Sequence, residues 1–433
     1  MRQIADLHIH SKYSRACSRN LTLSNLAAWA RTKGIDLLAT SDFTHPAWLK
    51  EIETKLEPAE SGLFKLKTEF DREDGDGSYV RAPRPKDGRD MRFILSTELA
   101  CIYKKGGKTR RLHVVVLMPS LAAVKRLVAE FERRGINLKS DGRPILGLGA
   151  KEVLELALAA DENSELIPAH AWTPWFSVFG SQSGFDSLEE CFDDLAPHIH
   201  AIETGLSSDP PMNWRLSALD RLVLVSNSDA HGLRNLAREA NVFDLEQLSY
   251  DSVLGAIREH DADRFPYTIE FFPEEGKYHA DGHRACSFVC GPDETERLGG
   301  RCPKCGKPLT RGVLGRVHAL ADREEGRRPQ GSPDFRHIIP LEELIAGALG
   351  KTKAAKAVFA AYAKLIESLG PEFDVLLDVA LEEIARVSTA DMSDVVRRMR
   401  AGDIAVSPGY DGEFGKIDVS SGRVHVAQSK FDI

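Results

Sequence analysis

At 433 residues, 42% of them hydrophobic and 28% charged, the chain exceeds what one ordinary core buries, so two or three domains are expected. The formal net charge of −8 excludes a uniformly basic nucleic-acid coat, though not a local basic surface. No apolar run approaches a membrane span, and Met1 leads into a strand pattern rather than a signal peptide, so a cytoplasmic protein with no membrane partner is expected.

The first element is "DLHIH", where Asp6, His8 and His10 alternate with Leu7 and Ile9. A period of two predicts a strand with the three polar side chains on one face. "TLSNLAAWARTKG" predicts a helix capped by Thr22 or Ser24 and stopped at Gly34, and "SLAAVKRLVAEFERRG" predicts a second from Ser120 to Gly135. Strand-like runs follow one another between such helices: "GIDLLATSD", "RFILSTE", "LHVVVLM", "ELIPAH", "HIHAIE" and "RLVLVSNSDAH". This alternation up to about residue 270 predicts a mostly parallel sheet, as a barrel or a doubly wound layer. Residues 69–90, charged and rich in Gly and Pro, predict a surface insertion rather than a substrate-contacting lid.

Several of these runs end in a potential metal ligand: Asp42 with His45 three residues on, Glu98, His170, Glu203, and Asp229 with His231. In parallel α/β folds, ligands and catalysis collect at the carboxyl ends of strands, where loops vary on a rigid frame. A single strand-end His or Glu is ordinarily a satisfied structural residue, but eight or nine at matching ends point to one site. His113 is the awkward member, because it precedes its apolar run. Imidazole mixed with carboxylate suits Zn, Mn or Fe, and this many donors predicts two or three ions. Clustered divalent cations acidify a water, neutralise phosphoryl oxygens and stabilise a leaving oxygen, the requirements of phosphate-ester hydrolysis.

"DLHIHSKYS", "TSDFTH", "STEL" and "SDAH" together resemble the motifs of the PHP family, named for polymerase and histidinol phosphatase, over roughly residues 1–270. The resemblance implies a distorted (β/α)7 barrel with metal ions at its mouth and, matched position by position, ligation by His8, His10, Glu98, His113, His170, Asp229 and His231. Phe43 stands at a frequent histidine position, which leaves Asp42 or His45 as its replacement.

Of seven cysteines, Cys286, Cys290, Cys302 and Cys305 crowd into twenty positions. Cys302 and Cys305 form CPxCG, the turn of a zinc knuckle, and a structural Zn2+ is expected rather than a redox pair. Three residues rather than two separate Cys286 from Cys290, so His283, spaced HxxC from Cys286, is an alternative to Cys290. Residues 276–330 carry eleven Lys or Arg against seven Asp or Glu. Beyond them, "IIPLEELIAGALG" to "SDVVRRMRAG" returns to a helical period. The expected organisation is a catalytic domain over 1–270, a zinc-finger-like domain over 271–330 and a helical domain over 331–433.

That order, with "KYHADGHRAC", "CPKCGKPLTRGVLGRVHALADR" and "SPGYDGEFG", resembles the endonuclease Q family over almost the whole chain. The resemblance implies a metal-dependent DNA repair endonuclease that nicks damaged DNA 5′ to deaminated bases (uracil, hypoxanthine, xanthine) and to abasic sites, with Zn2+ and possible use of Mg2+ or Mn2+. Asp229 and Glu98 are the expected catalytic residues. An enzyme selecting one damaged base must take it out of the stack. Trp172, Trp175, Phe176 and Phe179 are candidates to wall the base pocket, and Arg284, Arg301 and Lys304 candidates to hold phosphates. The rival expectations are a phosphatase for a small monoester, a nuclease of other specificity and a non-catalytic DNA-binding PHP module. The tail from Gln428 to Ile433, "QSKFDI", faintly resembles a sliding-clamp peptide, although a plain tail is the simpler reading.

Overall fold

The computed structural model describes residues 1–71 and 90–419, so most of the 69–90 insertion and the whole "QSKFDI" tail lie outside the described residues. In chain order the strands are β1 (Arg2–Asp6), β2 (Leu37–Ala39), β3 (Leu56–Pro58), β4 (Leu63–Leu66), β5 (Arg92–Lys105), β6 (Lys108–Met118), β7 (Glu165–Pro168), β8 (Ala201–Glu203), β9 (Val223–Val225), β10 (Ala240–Asp244) and β11 (Tyr267–Phe271). The barrel uses β1, β2, β5, β6, β7, β8 and β9. Parallel pairs join β1 to β2, β2 to β5 and β8 to β9. The ring passes from β7 to β8 through Ala171 N donating to Glu203 O (2.9 Å), and it closes where His10 N donates to Ala230 O (3.1 Å).

β6 is the exception, antiparallel to both β5 and β7. Its amino-terminal part therefore lies at the same end as the carboxyl termini of its neighbours, and His113 sits opposite Ala100, two residues beyond Glu98. The reversal explains why His113 precedes its apolar run and still faces the common mouth. The outer strands extend the sheet: β3, β4 and β5 pair antiparallel on one side, and β1, β10 and β11 on the other.

Ala5, Leu7, Leu37, Ile94, Val115, Ile167, Ala201 and Val223 fill the barrel interior, closed below by Phe243, Tyr250 and Phe265. A larger core joins the outside of the barrel to its helices. Both faces of β1 are thus buried, with Ala5 in the interior cluster and Ile4 in the outer one. The strand expected over "DLHIH" ends at Asp6, so Asp6, His8 and His10 do not share one strand face. Asp6 accepts from Ser228 N (3.1 Å) and Ala237 N (3.4 Å) instead of joining the histidines.

The helix signals act as read. Thr22 Oγ1 accepts from Asn25 N at the start of α1 (Leu23–Lys33), and Gly34 ends it at φ 87°. Ser120 caps α3 (Leu121–Arg133), which follows α2 (Pro46–Lys55) in the chain.

The cysteine segment contributes β12 (Asp281–His283) and β13 (Phe288–Cys290), an antiparallel pair. β14 (Asp334–Ile338) then returns to the main sheet parallel to β11. Helices Leu341–Ala348, Lys356–Leu369, Glu372–Leu377, Leu381–Val387 and Ala390–Ala401 form the helical region. The described chain ends in a hairpin of β15 (Ala405–Ser407) and β16 (Lys416–Asp418). No helix among the described residues is long and apolar enough to cross a membrane.

Candidate metal centre

Two donor groups meet at the barrel mouth, and Glu98 belongs to both. In the first, Glu98 Oε2 lies 3.2 Å from His10 Nε2 and 3.6 Å from His8 Nε2, while Asp229 Oδ1 lies 3.0 Å from His10 Nε2. In the second, Glu98 Oε1 lies 2.8 Å from His113 Nδ1 and 3.3 Å from His170 Nε2. One carboxylate thus offers each oxygen to a different imidazole pair, the arrangement of a bridging ligand. His231 stands beside the first group, its ring 4.5 Å from that of His10 and its Nδ1 2.8 Å from Asp229 O.

The backbone is bent where these side chains emerge. Asp42, His170 and Asp229 have positive φ of 47°, 30° and 46°, a conformation that costs about 1–3 kcal/mol each and persists only where surroundings enforce it. At Asp229 the enforcement comes from Asp229 N donating to His8 O (2.9 Å), and Arg238 Nε donates to the neighbouring Ser228 O (2.8 Å). At His170 it comes from His170 N donating to Glu203 Oε2 (2.6 Å), and Gly205 permits the close approach, since a Cβ there would lie 2.7 Å from His170 Cβ. Gly205→Ala is therefore expected to displace His170 and lower metal loading, as checked by metal content per chain.

Glu203, a strand-end acid read from the sequence as a potential ligand, joins neither donor group and instead orients the histidines. Its carboxylate accepts from His8 Nδ1 (3.0 Å), His170 N (2.6 Å) and Asn227 Nδ2 (2.9 Å). With Nδ1 as donor, the lone pair of His8 rests on Nε2, a buried nitrogen with no hydrogen-bond partner among the described residues. An orphaned imidazole nitrogen aimed at two carboxylates fits a divalent cation. Burial alone would push Glu98 up, but His113, Arg143 and His8 outweigh it and hold the acid well below the usual range. Asp229 is likewise held down, burial being outweighed by His10 and His8. Both are ionised donors.

Two buried acids nearby behave oppositely. Burial, then the charges of Glu270 and Glu203, raises Glu239 well above its ordinary value, and burial raises Glu270 to about 7. A raised carboxyl stabilises the fold below its unfolded value of 4.5, and that stability is lost as pH rises through about 7. Glu270→Gln is expected to flatten this loss, seen as a smaller drop in melting temperature between about pH 5 and about pH 8.

The other expected ligands lie elsewhere. Asp42 accepts from Ser11 N (2.8 Å), Ser11 Oγ (2.6 Å) and Ser14 Oγ (2.8 Å), and approaches His10 Nδ1 only at 3.5 Å, so it braces His10 from behind. His45 precedes α2 and stacks on Tyr13 at 4.3 Å, outside both groups. Arg143 gave no signal in the sequence, yet its guanidinium contacts Glu98 Oε2 at 3.0 Å.

Beside the donors opens a cavity of about 640 Å3 lined by Arg143, Trp175, Phe176, Lys277, Tyr278 and Phe414, among others. Trp175 and Phe176 thus face it, but Trp172 and Phe179 do not. Those two pack ring to ring at 4.8 Å in the core, with Trp172 Nε1 donating to Asn213 Oδ1. They belong to the apolar support of the loop.

A third donor group comprises His283, Cys286, Cys302 and Cys305, their ligand atoms within 4.8 Å of one another. Cys290 falls outside it, its Sγ lying 3.3 Å from Thr295 Oγ1. The backbone amides of Lys304 and Cys305 point at Cys302 Sγ and favour its thiolate against the effect of burial. Lys304 Nζ donates to Cys286 O (2.9 Å) and Arg301 to Gly306 O (2.9 Å), so both cations brace the knuckle. Arg284, exposed, pairs with Glu413 at 3.2 Å.

The comparisons agree with this geometry. The profile of a family described as the MJ0043 C-terminal domain matches residues 340–403. The uncharacterized protein YqxK of Bacillus subtilis is 30% identical over 424 residues, covering 95% of this chain and 98% of that protein. The uncharacterized protein MJ0043 of Methanocaldococcus jannaschii is 30% identical over 262 residues, 59% of this chain but 32% of that longer protein. Among solved structures, the lesion-specific endonuclease PfuEndoQ of Pyrococcus furiosus superposes with a TM-score of 0.83 at 29% identity, covering 100% of this chain and 98% of that one. Endonuclease Q in complex with a 27-mer duplex bearing an abasic lesion at its active site gives 0.82 at 29% identity, covering 100% and 99%. By its match to both structures over the whole chain, the protein belongs to the endonuclease Q family and shares its PHP-type barrel.

Proposed function

We propose that this protein is a metal-dependent DNA repair endonuclease that hydrolyses the phosphodiester 5′ to a damaged nucleotide, a deaminated base or an abasic site. The observation that carries the reading is Glu98, which presents one oxygen to His8 and His10 and the other to His113 and His170 beside a nucleotide-sized cavity. His8, His10, Glu98 and Asp229 would hold one cation, and Glu98, His113 and His170 a second. When bound, such cations acidify water and neutralise phosphoryl oxygens.

The protein's own groups do the rest. Glu203 fixes the tautomer and angle of His8. Arg143 reaches the centre from the cavity wall, placed to contact a non-bridging phosphate oxygen. Trp175 and Tyr278, with ring centroids 5.8 Å apart, offer apolar surface to a base extruded from the duplex. Arg143→Ala is expected to slow turnover roughly 100-fold with metal content unchanged, and Arg143→Lys to recover only part, since a point charge lacks the bidentate fork.

His283, Cys286, Cys302 and Cys305 would hold a structural Zn2+ that organises a segment too small to build its own core. Cys302→Ser is expected to remove one zinc per chain and open residues 276–330 to protease while the barrel's metal content persists.

The test is incubation of end-labelled duplexes carrying uracil, hypoxanthine, xanthine or an abasic site with Mg2+ or Mn2+, and with chelator. The expected product is one nick 5′ to the lesion with 3′-hydroxyl and 5′-phosphate ends, absent with chelator. Intact oligonucleotides together with hydrolysis of a small phosphate monoester would overturn the reading in favour of a phosphatase.

A further inference from the structure

Phe414 is 63% exposed, one of four exposed large apolar side chains among the described residues, and of these it is the one lining the cavity beside the metal centre. An exposed phenylalanine is unremarkable on a mobile loop. Here the backbone carrying it is held firmly.

Phe414 sits in the turn between β15 and β16, and that turn is stitched to residues 274–277. Gly409 N donates to Glu274 O (2.7 Å), Gly412 N to Lys277 O (2.9 Å) and Gly415 N to Glu275 O (3.0 Å). Within the turn, Tyr410 N donates to Glu413 O (3.0 Å), and Asp411 and Gly412 take positive φ of 44° and 88°. Asp411 accepts from Arg284 N and from Thr310 Oγ1, both at 2.7 Å, tying the tip to the cysteine segment. No room exists for the turn to slide: a Cβ on Gly409 would lie 2.5 Å from Gly276 O, and one on Gly415 2.2 Å from Glu274 O. The chain thus spends its ordering entropy before any ligand arrives, on a side chain it leaves in water.

The surroundings indicate what that ring meets. Lys277 Nζ lies 5.9 Å from the Phe414 ring centroid and 5.4 Å from that of Tyr278, so a cation flanks an aromatic rim. Arg143 and Arg238 line the same cavity. Cations for phosphates beside a rigid exposed ring form a surface for a nucleic-acid base stack, and the cavity behind it takes what leaves the stack.

We infer that Phe414 is a wedge: it inserts into the duplex at the lesion, stacks on the bases left behind and stabilises the extruded nucleotide. The inference rests on the endonuclease reading, and its test separates the two. Single-turnover nicking is measured on a duplex with the lesion paired and on the same lesion within an unpaired bubble, for the wild type, Phe414→Ala and Phe414→Trp. A wedge matters only where a stack must be opened, so Phe414→Ala is expected to lower the ratio of paired to bubble rates at least about tenfold, and Phe414→Trp to restore it. Fluorescence of 2-aminopurine beside the lesion, read in the Asp229→Asn background, should fall with Phe414→Ala. An unchanged ratio would overturn the wedge, as would equal slowing on both substrates, which would place the ring against the extruded base. A wild-type protein that nicks neither substrate would overturn the endonuclease reading itself.

Discussion

Glu98→Gln is expected to lower the nicking rate at least about a thousandfold, equivalent to about 4 kcal/mol of transition-state stabilisation, and to strip both barrel cations. The substitution keeps the shape but turns one acceptor oxygen into an NH2 donor and removes the negative charge shared by the two donor groups. Four imidazoles and Arg143 converge on that carboxylate, so its neutral replacement also leaves the surrounding positive groups uncompensated. Asp229→Ala is expected to abolish nicking too, but to affect one donor group rather than both. DNA binding, read by fluorescence anisotropy, should survive in both variants because Lys277 and Arg238, which line the cavity, are left in place. A Glu98→Gln protein retaining a tenth of its nicking rate would contradict the bridging role.

The second large effect is on stability. Lys33 on α1 and Glu372 in the helical region form an ion pair at 2.7 Å with side chains 1% and 3% exposed. Glu372 also accepts from Tyr362 Oη (2.7 Å) and Leu341 N (2.9 Å), so one carboxylate joins Lys33 of α1 to two further points of the helical region. Removing one partner leaves a buried charge uncompensated, and Glu372→Ala is expected to cost about 3–5 kcal/mol. The check is the urea midpoint of the region joining α1 to residues 341–377, followed by limited proteolysis. The double replacement Lys33→Met with Glu372→Leu should recover most of the loss, since neither charge then remains buried. A single variant with an unchanged midpoint would contradict the account.

How far the sequence could be read depended on whether a feature was local. The caps at Thr22 and Ser120, the stop at Gly34 and the strand-like runs all rest on chemistry within a few residues, and each reappears in the fold. The pair His8 and His10, which meets in one donor group, was legible for the same reason, whereas His231, expected beside Asp229, stands outside that group. His113 was expected only through the family resemblance, because its placement depends on the reversed direction of β6, a property of strand pairing rather than of its own neighbourhood. Asp42 and His45 misled because a strand-end position fixes height in the barrel but not aim. Serine donors claim Asp42, and Tyr13 claims His45. Trp172 and Phe179 sit in the same run as Trp175 and Phe176, and only the fold of the loop decides which pair faces the cavity. Arg143 lies in a loop whose neighbours carry no signal, and Phe414, although inside the "SPGYDGEFG" stretch, has no spacing that assigns it a role.

The central claim is that one glutamate links two cations in a centre that cuts DNA. Crystals grown with Mn2+ and measured at its absorption edge test it most directly. The account predicts two anomalous peaks flanking Glu98, one among His8, His10 and Asp229 and the other beside His113 and His170. A single peak away from Glu98, or none, in crystals of protein that nicks lesion-bearing duplex with Mn2+ would contradict it.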